Sequence, residues 1–409
     1  MKPAPFTTID LFAGCGGLSL GLEQAGFRTI AFSELNTDAA ATFKVNRPES
    51  DLHAFGAVGE LQRPGVIEGL KSKFRSDGIS RVDLVCGGPP CQGYSGIGHR
   101  RSHKVERKGI PSNHLYLDMI DVIRRVNPRT FLFENVRGLM TGRWTPDGDR
   151  GEMWTDVLNA FKNVGDYEVR SALVQAKHYG VPQNRPRVLI VGIHKDEGWS
   201  APQGAALVAD GLLPRPTGEA PDLIDVLSDL VDEEYLGKTE TSVYPSQARS
   251  AFQREMRAHD GRTARKGGMV TEHVYSQHSE KVRMKFEYML RHEGEILERM
   301  RTKKFAQRLL PPRWGVEGPS ITATSLPDDF VHYSQPRTLT VREWARLQCF
   351  PDWYQFRGPR TTGGVRRAGN PSQGIWDREV PKYTQIGNAV PVRLARAVGI
   401  HLAGILARR

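Results

Sequence analysis

Short β-rich segments alternate with helical periods through the first half of the chain, and this alternation limits the folds available to it. The β-rich segments are Thr8–Phe12, Thr29–Ser33, Val82–Cys86, Thr130–Phe133, Glu168–Val174 and Arg187–Ile193. Such alternation is typical of a sheet whose strands run mostly in parallel and whose two faces are covered by helices. The sequence therefore predicts an α/β fold.

The alternation stops near residue 195, which indicates a second, smaller domain. The following region contains scattered Pro and Gly and a charged helical stretch at Ser279–Arg308, without a repeated strand–helix unit. Apolar helical periods return at Thr340–Phe350 and Pro391–Leu406, and we expect the second of them to pack back on the first domain. The predicted parts are residues 1–195, 196–336 and 337–409.

The charge of the chain favours a polyanionic partner. It carries 57 Lys and Arg against 46 Asp and Glu, a formal charge of +11, and counterion release favours nucleic acid over a membrane surface. No apolar run approaches the roughly 20 residues that span a bilayer, and the N-terminus lacks an apolar signal segment, so we expect a cytoplasmic protein. The four cysteines show no Cys-x-x-Cys pair and no His at metal spacing, which predicts reduced thiols and no metal.

A glycine-rich run, DLFAGCGG, occupies residues 10–17 after the first predicted strand. Glycines in a strand-to-helix turn let the backbone approach a ligand, and an acid about twenty residues later suits a ribose. Glu34 stands twenty residues after Gly14. Ser19 breaks the dinucleotide spacing and the P-loop Gly-Lys-Ser/Thr is absent, so a nucleoside without pyrophosphate fits better. A tight turn without a ligand is the alternative.

A stiff loop after a predicted buried strand displays one thiol. In GGPPCQ at residues 87–92, two prolines fix the backbone before Cys91, as a nucleophile requires, although most free cysteines are small buried hydrophobes. The arginines of QNRPR at residues 183–187 would supply positive charge for a thiolate, or else form a solvated surface pair. Glu134 follows the strand Thr130–Phe133 at the carboxyl edge of the sheet, where ligands bind, or is a helix cap or surface acid.

Six motifs, in order, resemble those of the DNA cytosine-5 methyltransferase family from residue 10 almost to the C-terminus. They are DLFAGCGG at 10–17, GGPPCQGYS at 87–95, ENV at 134–136, QNRPR at 183–187, RTLTVREWARLQCFPD at 337–352 and QIGNAVP at 385–391. The resemblance implies a Rossmann-like, S-adenosylmethionine-dependent fold with residues 196–336 as the target-recognition domain. It implies methylation of carbon 5 of cytosine in a specific double-stranded DNA sequence, as in bacterial restriction-modification systems.

The resemblance also implies roles for individual residues. Cys91 would add to carbon 6 of a flipped-out cytosine, while Glu134 would hydrogen-bond or protonate ring nitrogen 3. Arg187 would hold the carbonyl oxygen at position 2, and Arg185 would position the loop or a phosphate. The residues implied for S-adenosylmethionine are Phe12, Ala13, Gly14, Gly16, Gly17, Glu34, Leu35, Leu115, Asn388, Ala389 and Val390. The stretch Arg337–Asp352 resembles the helix that buttresses the target-recognition domain, so Arg342, Glu343 and Arg346 are better interpreted as scaffold than as catalytic residues.

Two positions depart from the family pattern. Leu35 replaces a Trp that stacks on adenine, and Ala57 replaces an acid that contacts the adenine amino group, for which Glu60 or Asp83 would substitute. These departures motivate one alternative, a DNA-binding paralogue with impaired cofactor binding, although Cys91 and the other catalytic motifs are retained. The second alternative is tRNA cytosine-5 methylation, against which the sizeable recognition region argues. We expect a monomer that acts on double-stranded DNA, near the nucleoid, with a cognate restriction endonuclease as a separate protein rather than a stable subunit.

Overall fold

The structure is a computed structural model that describes most of the chain. The described residues are 6–48, 51–90, 111–202, 207–301, 307–315, 318–321, 329–361 and 379–408. The predicted nucleophile Cys91 lies outside these residues.

A seven-stranded sheet forms the framework of the described chain. Its strands are β1 (Phe6–Leu11), β2 (Phe27–Ser33), β3 (His53–Phe55), β4 (Leu84–Gly87), β5 (Thr130–Val136), β6 (Tyr167–Gln175) and β7 (Pro186–His194). Their order is β3-β2-β1-β4-β5-β7-β6. Neighbours are parallel from β3 to β5, and β7 runs antiparallel to both β5 and β6. The predicted mostly parallel α/β sheet is confirmed.

The strand limits differ from the predicted ones at two informative places. β3 was not predicted, because a strand of three residues with a half-exposed pattern carries little hydrophobic signal. β5 continues through Val136, beyond the predicted end at Phe133, because Glu134 and Asn135 still pair with β7. The carboxylate of Glu134 is therefore held on a strand.

Helices connect the strands and cover the sheet. They are α1 (Gly17–Gln24), α2 (Thr37–Val45), α3 (Gly59–Gln62), α4 (Val66–Ser76), α5 (Leu115–Val126), α6 (Glu152–Lys162), α7 (Leu223–Leu227), α8 (Ala251–Met256), α9 (Glu280–Arg291), α10 (Val341–Leu347), α11 (Lys382–Asn388) and α12 (Val392–Leu406). The predicted helix at Ser279–Arg308 ends at Arg291, because Glu293 and Gly294 adopt left-handed backbone conformations that stop it.

The C-terminal helix packs on the first helix, as expected. A Cβ at Gly21 of α1 would collide with Ala395 of α12, so the two helices approach at glycine. The stretch Lys382–Leu406 is long and apolar enough to cross a membrane, which the expectation from sequence missed, but 56% of its most apolar window is buried inside the fold. Its apolar character accordingly serves the packing of α12 against α1.

The middle region contains short elements and joins α10 through buried ion pairs. Its strand pairs are β8 (Ala258–His259) with β9 (Arg262–Thr263), and β10 (Arg308–Leu309) with β11 (Phe330–Val331). Arg346 of α10 contacts Asp229 at 2.5 Å and Asp352 at 2.6 Å, and its side chain is fully buried. Arg337 pairs with Glu343 at 2.6 Å. These contacts support the scaffold interpretation of α10.

Candidate active site

The glycine-rich turn between β1 and α1 forms one side of the site. Gly14 and Gly16 have φ angles of +56° and +86°, in the left-handed region that favours glycine. A Cβ at Gly16 would lie 2.7 Å from the Tyr354 hydroxyl, whereas the space beside Gly14 is open. The turn is therefore packed against the protein at Gly16 and open at Gly14.

Glu34 supports the open glycine of this turn. Its carboxylate accepts the N–H of Gly14 at 2.8 Å and that of Asn36 at 2.7 Å. Burial raises the pKa of Glu34, and the two backbone donors oppose the shift. Each carboxylate oxygen has a second lone pair, so the group can still accept hydrogen bonds from ligand hydroxyls.

The turn between α11 and α12 closes on the glycine loop. A Cβ at Gly17 would lie 2.5 Å from the Val390 carbonyl oxygen and 3.1 Å from the Cβ of Ala389. Ala389 and Val390 are buried, whereas Asn388 is exposed. Three predicted cofactor positions distant in sequence from the glycines are thus brought beside them.

The other predicted cofactor residues differ in their burial. Phe12 and Leu115 pack, partly buried, against the same apolar cluster. Leu35 follows Glu34 and is 75% exposed. Ala57 is also exposed, just after β3.

The two acids considered as substitutes for Ala57 are separated by the structure. Asp83 accepts hydrogen bonds from Thr7 and pairs with Arg129 at 2.9 Å, at the amino edge of the sheet. The glycine turn lies at the carboxyl edge, so the suggestion of Asp83 is wrong. Glu60 follows β3 at the carboxyl edge and accepts the N–H of Gly56 at 3.2 Å.

The carboxyl ends of β4 and β5 form the second side of the site. Gly87 at the end of β4 pairs with Phe133, next to Glu134 on β5. A Cβ at Gly88 would lie 2.9 Å from Glu134 Oε2, so glycine leaves room beside this oxygen. Asn135 Nδ2 donates to the Pro89 carbonyl at 3.3 Å. The start of the GGPPCQ loop is therefore tied to the strand that carries Glu134.

Glu134 and Arg187 form a buried ion pair. β7 runs antiparallel to β5, so Arg187 at its beginning lies opposite Val136. Arg187 Nε is 2.5 Å from Glu134 Oε1, and both side chains are about one-tenth exposed. Burial lowers the pKa of Arg187, while the Glu134 carboxylate opposes the shift. This pair orients Glu134 through Oε1 and leaves Oε2 beside Gly88.

Arg185 does not occupy the position expected for a phosphate contact. Its guanidinium is buried and donates to three backbone carbonyls, those of Ile321 at 2.5 Å, Gly387 at 2.8 Å and Ala389 at 2.9 Å. Burial and the neighbouring Arg187 charge hold the pKa of Arg185 well below its ordinary value, while Glu134 opposes this. The alternative of a solvated surface pair is also wrong, because both arginines are buried.

Two buried glutamines complete this arrangement, and the sequence reasoning assigned them no role. Gln183 Nε2 donates to Leu347 O and to Gln348 Oε1, both at 2.8 Å. Gln348 Nε2 donates to Ile386 O at 2.8 Å and to Ala389 O at 3.3 Å. Their position inside the QNRPR and RTLTVREWARLQCFPD motifs was the available signal.

Acidic and thiol groups beneath the glycine turn are shielded from water. Burial raises the pKa of Asp10 to about 7, and a hydrogen bond from Ser19 at 2.5 Å opposes the shift. Burial likewise raises the pKa of the Cys15 thiol to about 12. Among the described residues, no group of three or more His, Cys, Asp or Glu side chains is placed to hold a metal ion.

Comparisons with known proteins agree on one family. A family model described as C-5 cytosine-specific DNA methylase matches residues 6–403. The Type II methyltransferase M.DdeI of Desulfomicrobium norvegicum is 30% identical over 95% of this chain and 86% of its own length. The Type II methyltransferase M.XorII of Xanthomonas oryzae pv. oryzae is 31% identical over 96% of this chain and 83% of its own. A structure of a candidate DNA modification methyltransferase from an E. coli prophage has a TM-score of 0.68 at 24% identity, covers 98% of this chain and 99% of its own, and shows a similar fold.

Proposed function

Since the chain belongs to the C-5 cytosine-specific DNA methylase family and is therefore a DNA methyltransferase, we propose that it methylates cytosine within a specific double-stranded DNA sequence through covalent addition of Cys91. The resemblance seen in the sequence is confirmed at the level of the family. The observation that best supports the catalytic assignment is the close approach of Gly88 to Glu134 Oε2, which only glycine allows, three residues before Cys91 in the sequence.

S-adenosylmethionine would supply the methyl group. The described residues fit its nucleoside, because the space beside Gly14 is open. The Glu34 carboxylate accepts the N–H of Gly14 and has further lone pairs that can accept hydrogen bonds from ribose hydroxyls. We place the other end of the pocket at the turn 388–390, which packs on Gly17. Phe12, Ala13, Gly16, Leu35 and Leu115 would line the remainder.

The adenine amino group requires an acceptor at the carboxyl edge of β3. We assign this contact to Glu60, which already reaches Gly56 in the turn after β3. Leu35 would offer an aliphatic surface to one face of the ring. These two residues would take the place of the acid and the Trp found in the family pattern.

Carbon 5 of cytosine is a poor nucleophile, so the reaction needs activation at carbon 6. Cys91 would add there as a thiolate, and electron density would move towards ring nitrogen 3. Glu134 Oε2, beside Gly88, would hydrogen-bond or protonate that nitrogen, while Arg187 Nε holds Oε1. Arg187 Nη1 donates to the Pro186 carbonyl at 2.8 Å, so we assign the contact with the carbonyl oxygen at position 2 to Nη2. Carbon 5, now enamine-like, would take the methyl group that S-adenosylmethionine supplies, with S-adenosylhomocysteine as the leaving group. A base would then remove the carbon 5 proton, and the Cys91 thiolate would leave carbon 6.

The target cytosine must leave the duplex for this addition, because carbon 6 is inaccessible in stacked DNA. Flipping costs a few kcal/mol, and the charge of +11 favours the DNA complex that offsets this cost. We propose residues 196–336 as the target-recognition domain, with 1–195 and 337–409 forming the catalytic part. We also propose a cytoplasmic monomer that works alongside a separate restriction endonuclease, as its similarity to Type II methyltransferases suggests.

The deciding experiment expresses the chain in a methylation-deficient bacterial host and sequences the genomic DNA after bisulfite treatment. Cys91→Ala is the matched variant, since it removes only the thiol. Cytosine methylation at a fixed sequence, present with Cys91 and absent with Ala, supports the proposal. Fixed-sequence methylation by both proteins excludes the covalent mechanism. Bisulfite sequencing of transfer RNA from the same cells tests the other substrate, and methylation found there and not in genomic DNA would replace the DNA substrate.

A further inference from the structure

The guanidinium of Arg185 contacts two parts of the chain that are far apart in sequence. One terminal nitrogen donates to Ile321 in the middle region at 2.5 Å, and the other donates to Gly387 and Ala389 at 2.8 and 2.9 Å. The side chain is only 2% exposed. In the described part of the chain no carboxylate pairs directly with it, so backbone carbonyls satisfy most of its hydrogen bonding. Burying this cation costs desolvation free energy, and its hydrogen bonds hold the backbone at Ile321 and at the end of α11 and the turn after it.

The carbonyls that Arg185 holds belong to the turn that packs on the glycine loop. The last carbonyl groups of a helix have no hydrogen-bond donor within the helix. Ala389 is the residue that follows the end of α11, so its carbonyl needs a partner from elsewhere. Ala389 O accepts hydrogen bonds from both Arg185 and Gln348. The next carbonyl oxygen, Val390 O, lies so close to Gly17 that a Cβ there would be 2.5 Å from it. A small movement of this turn would therefore change the shape of the glycine pocket.

The other contacts of the QNRPR motif reinforce the connection with the middle region. Asn184 N–H donates to the Pro319 carbonyl at 2.7 Å, and Ile321 N–H approaches Gln183 Oε1 at 3.4 Å. The motif thus binds residues 319–321 through three successive residues. The same motif contributes Arg187 to the ion pair with Glu134.

We propose that Arg185 is a positioning residue that sets the turn 387–390 against the glycine loop and ties it to residues 319–321. Cofactor affinity then depends on a side chain that touches neither cofactor nor cytosine. The inference rests on the proposed function, because it takes this turn as part of the S-adenosylmethionine pocket.

The test compares Arg185→Lys with the wild-type protein by calorimetric titration of S-adenosylhomocysteine. An ammonium group is a point charge and cannot bond both sets of carbonyls as the planar guanidinium does. Loss of two charge-assisted hydrogen bonds predicts a Kd raised by about tenfold or more. Steady-state kinetics should show a higher KM for S-adenosylmethionine with a smaller change in kcat.

Arg129→Lys is the matched control. Like Arg185, Arg129 donates to a backbone carbonyl, that of Leu406, and it also bonds Asp83 and Glu197. Its side chain is 20% exposed and lies at the opposite edge of the sheet. We expect its Kd for S-adenosylhomocysteine to stay within about twofold of the wild-type value, because a change at that edge does not move the turn. Equal increases in the two variants would show general loosening and overturn the inference.

Two further measurements keep the inference testable if Arg185→Lys does not fold. Gln348→Met removes the second donor to Ala389 O, so by itself it should raise the same Kd. Hydrogen exchange of the Ile321 amide should slow on addition of S-adenosylhomocysteine to the wild-type protein. Unchanged exchange in wild type would refute the tie to the middle region.

Failure of the inference and failure of the proposed function give different results. If wild type binds S-adenosylhomocysteine and the variants at Arg185 and Gln348 bind it equally well, the positioning role is wrong and the proposed function stands. If wild type does not bind it, both are wrong.

Discussion

Replacing Gly88 by Ala moves the Glu134 carboxylate by an amount that the structure fixes. A Cβ at this position would lie 2.9 Å from Glu134 Oε2, whereas ordinary contacts of a Cβ begin at 3.4 Å, so the oxygen must retreat by about 0.5 Å. Gly88 does not have a left-handed φ, so Ala fits its backbone. The strain falls on the end of one side chain, and we expect the fold to be retained.

A shift of Oε2 also moves Oε1, the other oxygen of the Glu134 carboxylate. Oε1 is held by Arg187 Nε at 2.5 Å, so the group cannot shift without disturbing this ion pair. A misplacement of 1 Å costs on the order of a hundredfold in rate, and half that distance predicts a fall in kcat of about tenfold. Of the residues that the structure describes, a Cβ at Gly88 would meet only Glu134 within 4 Å, so the Kd of S-adenosylhomocysteine should not change.

The assay measures transfer of a labelled methyl group from S-adenosylmethionine to genomic DNA of a methylation-deficient host. Gly69→Ala is the matched control, because Gly69 lies on the exposed side of α4 with open space around it. It should keep wild-type kcat and Kd. A Gly88→Ala protein with wild-type kcat would refute the importance of the Oε2 position, and an equal loss of cofactor affinity would show that the change is not local.

Three further substitutions test other parts of the structure. Gly17→Ala places a Cβ 2.5 Å from Val390 O, which is backbone and yields little, so the Kd of S-adenosylhomocysteine should rise by about tenfold or more; an unchanged Kd in titration would contradict this. Asp229→Ala leaves the buried Arg257 and Arg346 without their shared carboxylate and should cost about 3–5 kcal/mol, seen as a lower urea midpoint than that of the exposed-site control Asp196→Ala. Burial raises the pKa of Asp10 to about 7, so folding favours its protonated form, and the stability that this form contributes is lost as pH rises from about 4 through 7. The melting temperature of Asp10→Asn should therefore rise relative to that of the wild-type protein across this pH range. A difference in melting temperature that does not depend on pH would contradict this prediction.

The sheet was predictable because its strands are buried and separated by helices. Burial on both faces requires near-continuous apolar runs such as β4 and β7, and these stand out in the sequence. β3 has no such run, and α9 looked longer because the charged stretch continues after the left-handed residues that end the helix. The hydrophobic pattern of the sequence therefore located the strongly buried elements. It missed the short strand β3 and the end of α9, which depends on two left-handed residues.

The site was predictable where its chemistry is local to a strand end. Glu34 and Glu134 both follow apolar runs, and the parallel sheet brings such ends to one edge. The contacts of Arg185 were not predictable, because its partners, Ile321 and Ala389, are more than 130 residues away and are backbone atoms, which leave no signature in side-chain type. Asp83 shows the same limit as a candidate for the adenine contact. Its carboxyl group is visible in the sequence, but its location at the amino edge of the sheet is not.

Leu35 is the departure from the family pattern that most directly affects affinity. It follows Glu34, whose carboxylate bonds Gly14, and exposes 75% of its surface at the carboxyl edge. An indole there would add aromatic stacking of about 0.5–1.5 kcal/mol, so Leu35→Trp should lower the Kd of S-adenosylhomocysteine by about two- to tenfold, while Leu35→Ala should raise it.

The control for this prediction is Leu236→Trp, since Leu236 is 61% exposed in the middle region and away from the glycine turn. It adds the same indole and should leave the Kd unchanged. Opposite shifts in the two Leu35 variants would place the adenine ring against this side chain. Unchanged titrations for both would mean that adenine lies elsewhere, because neither loss of the aliphatic face nor gain of an aromatic one would then alter a contact with the ligand.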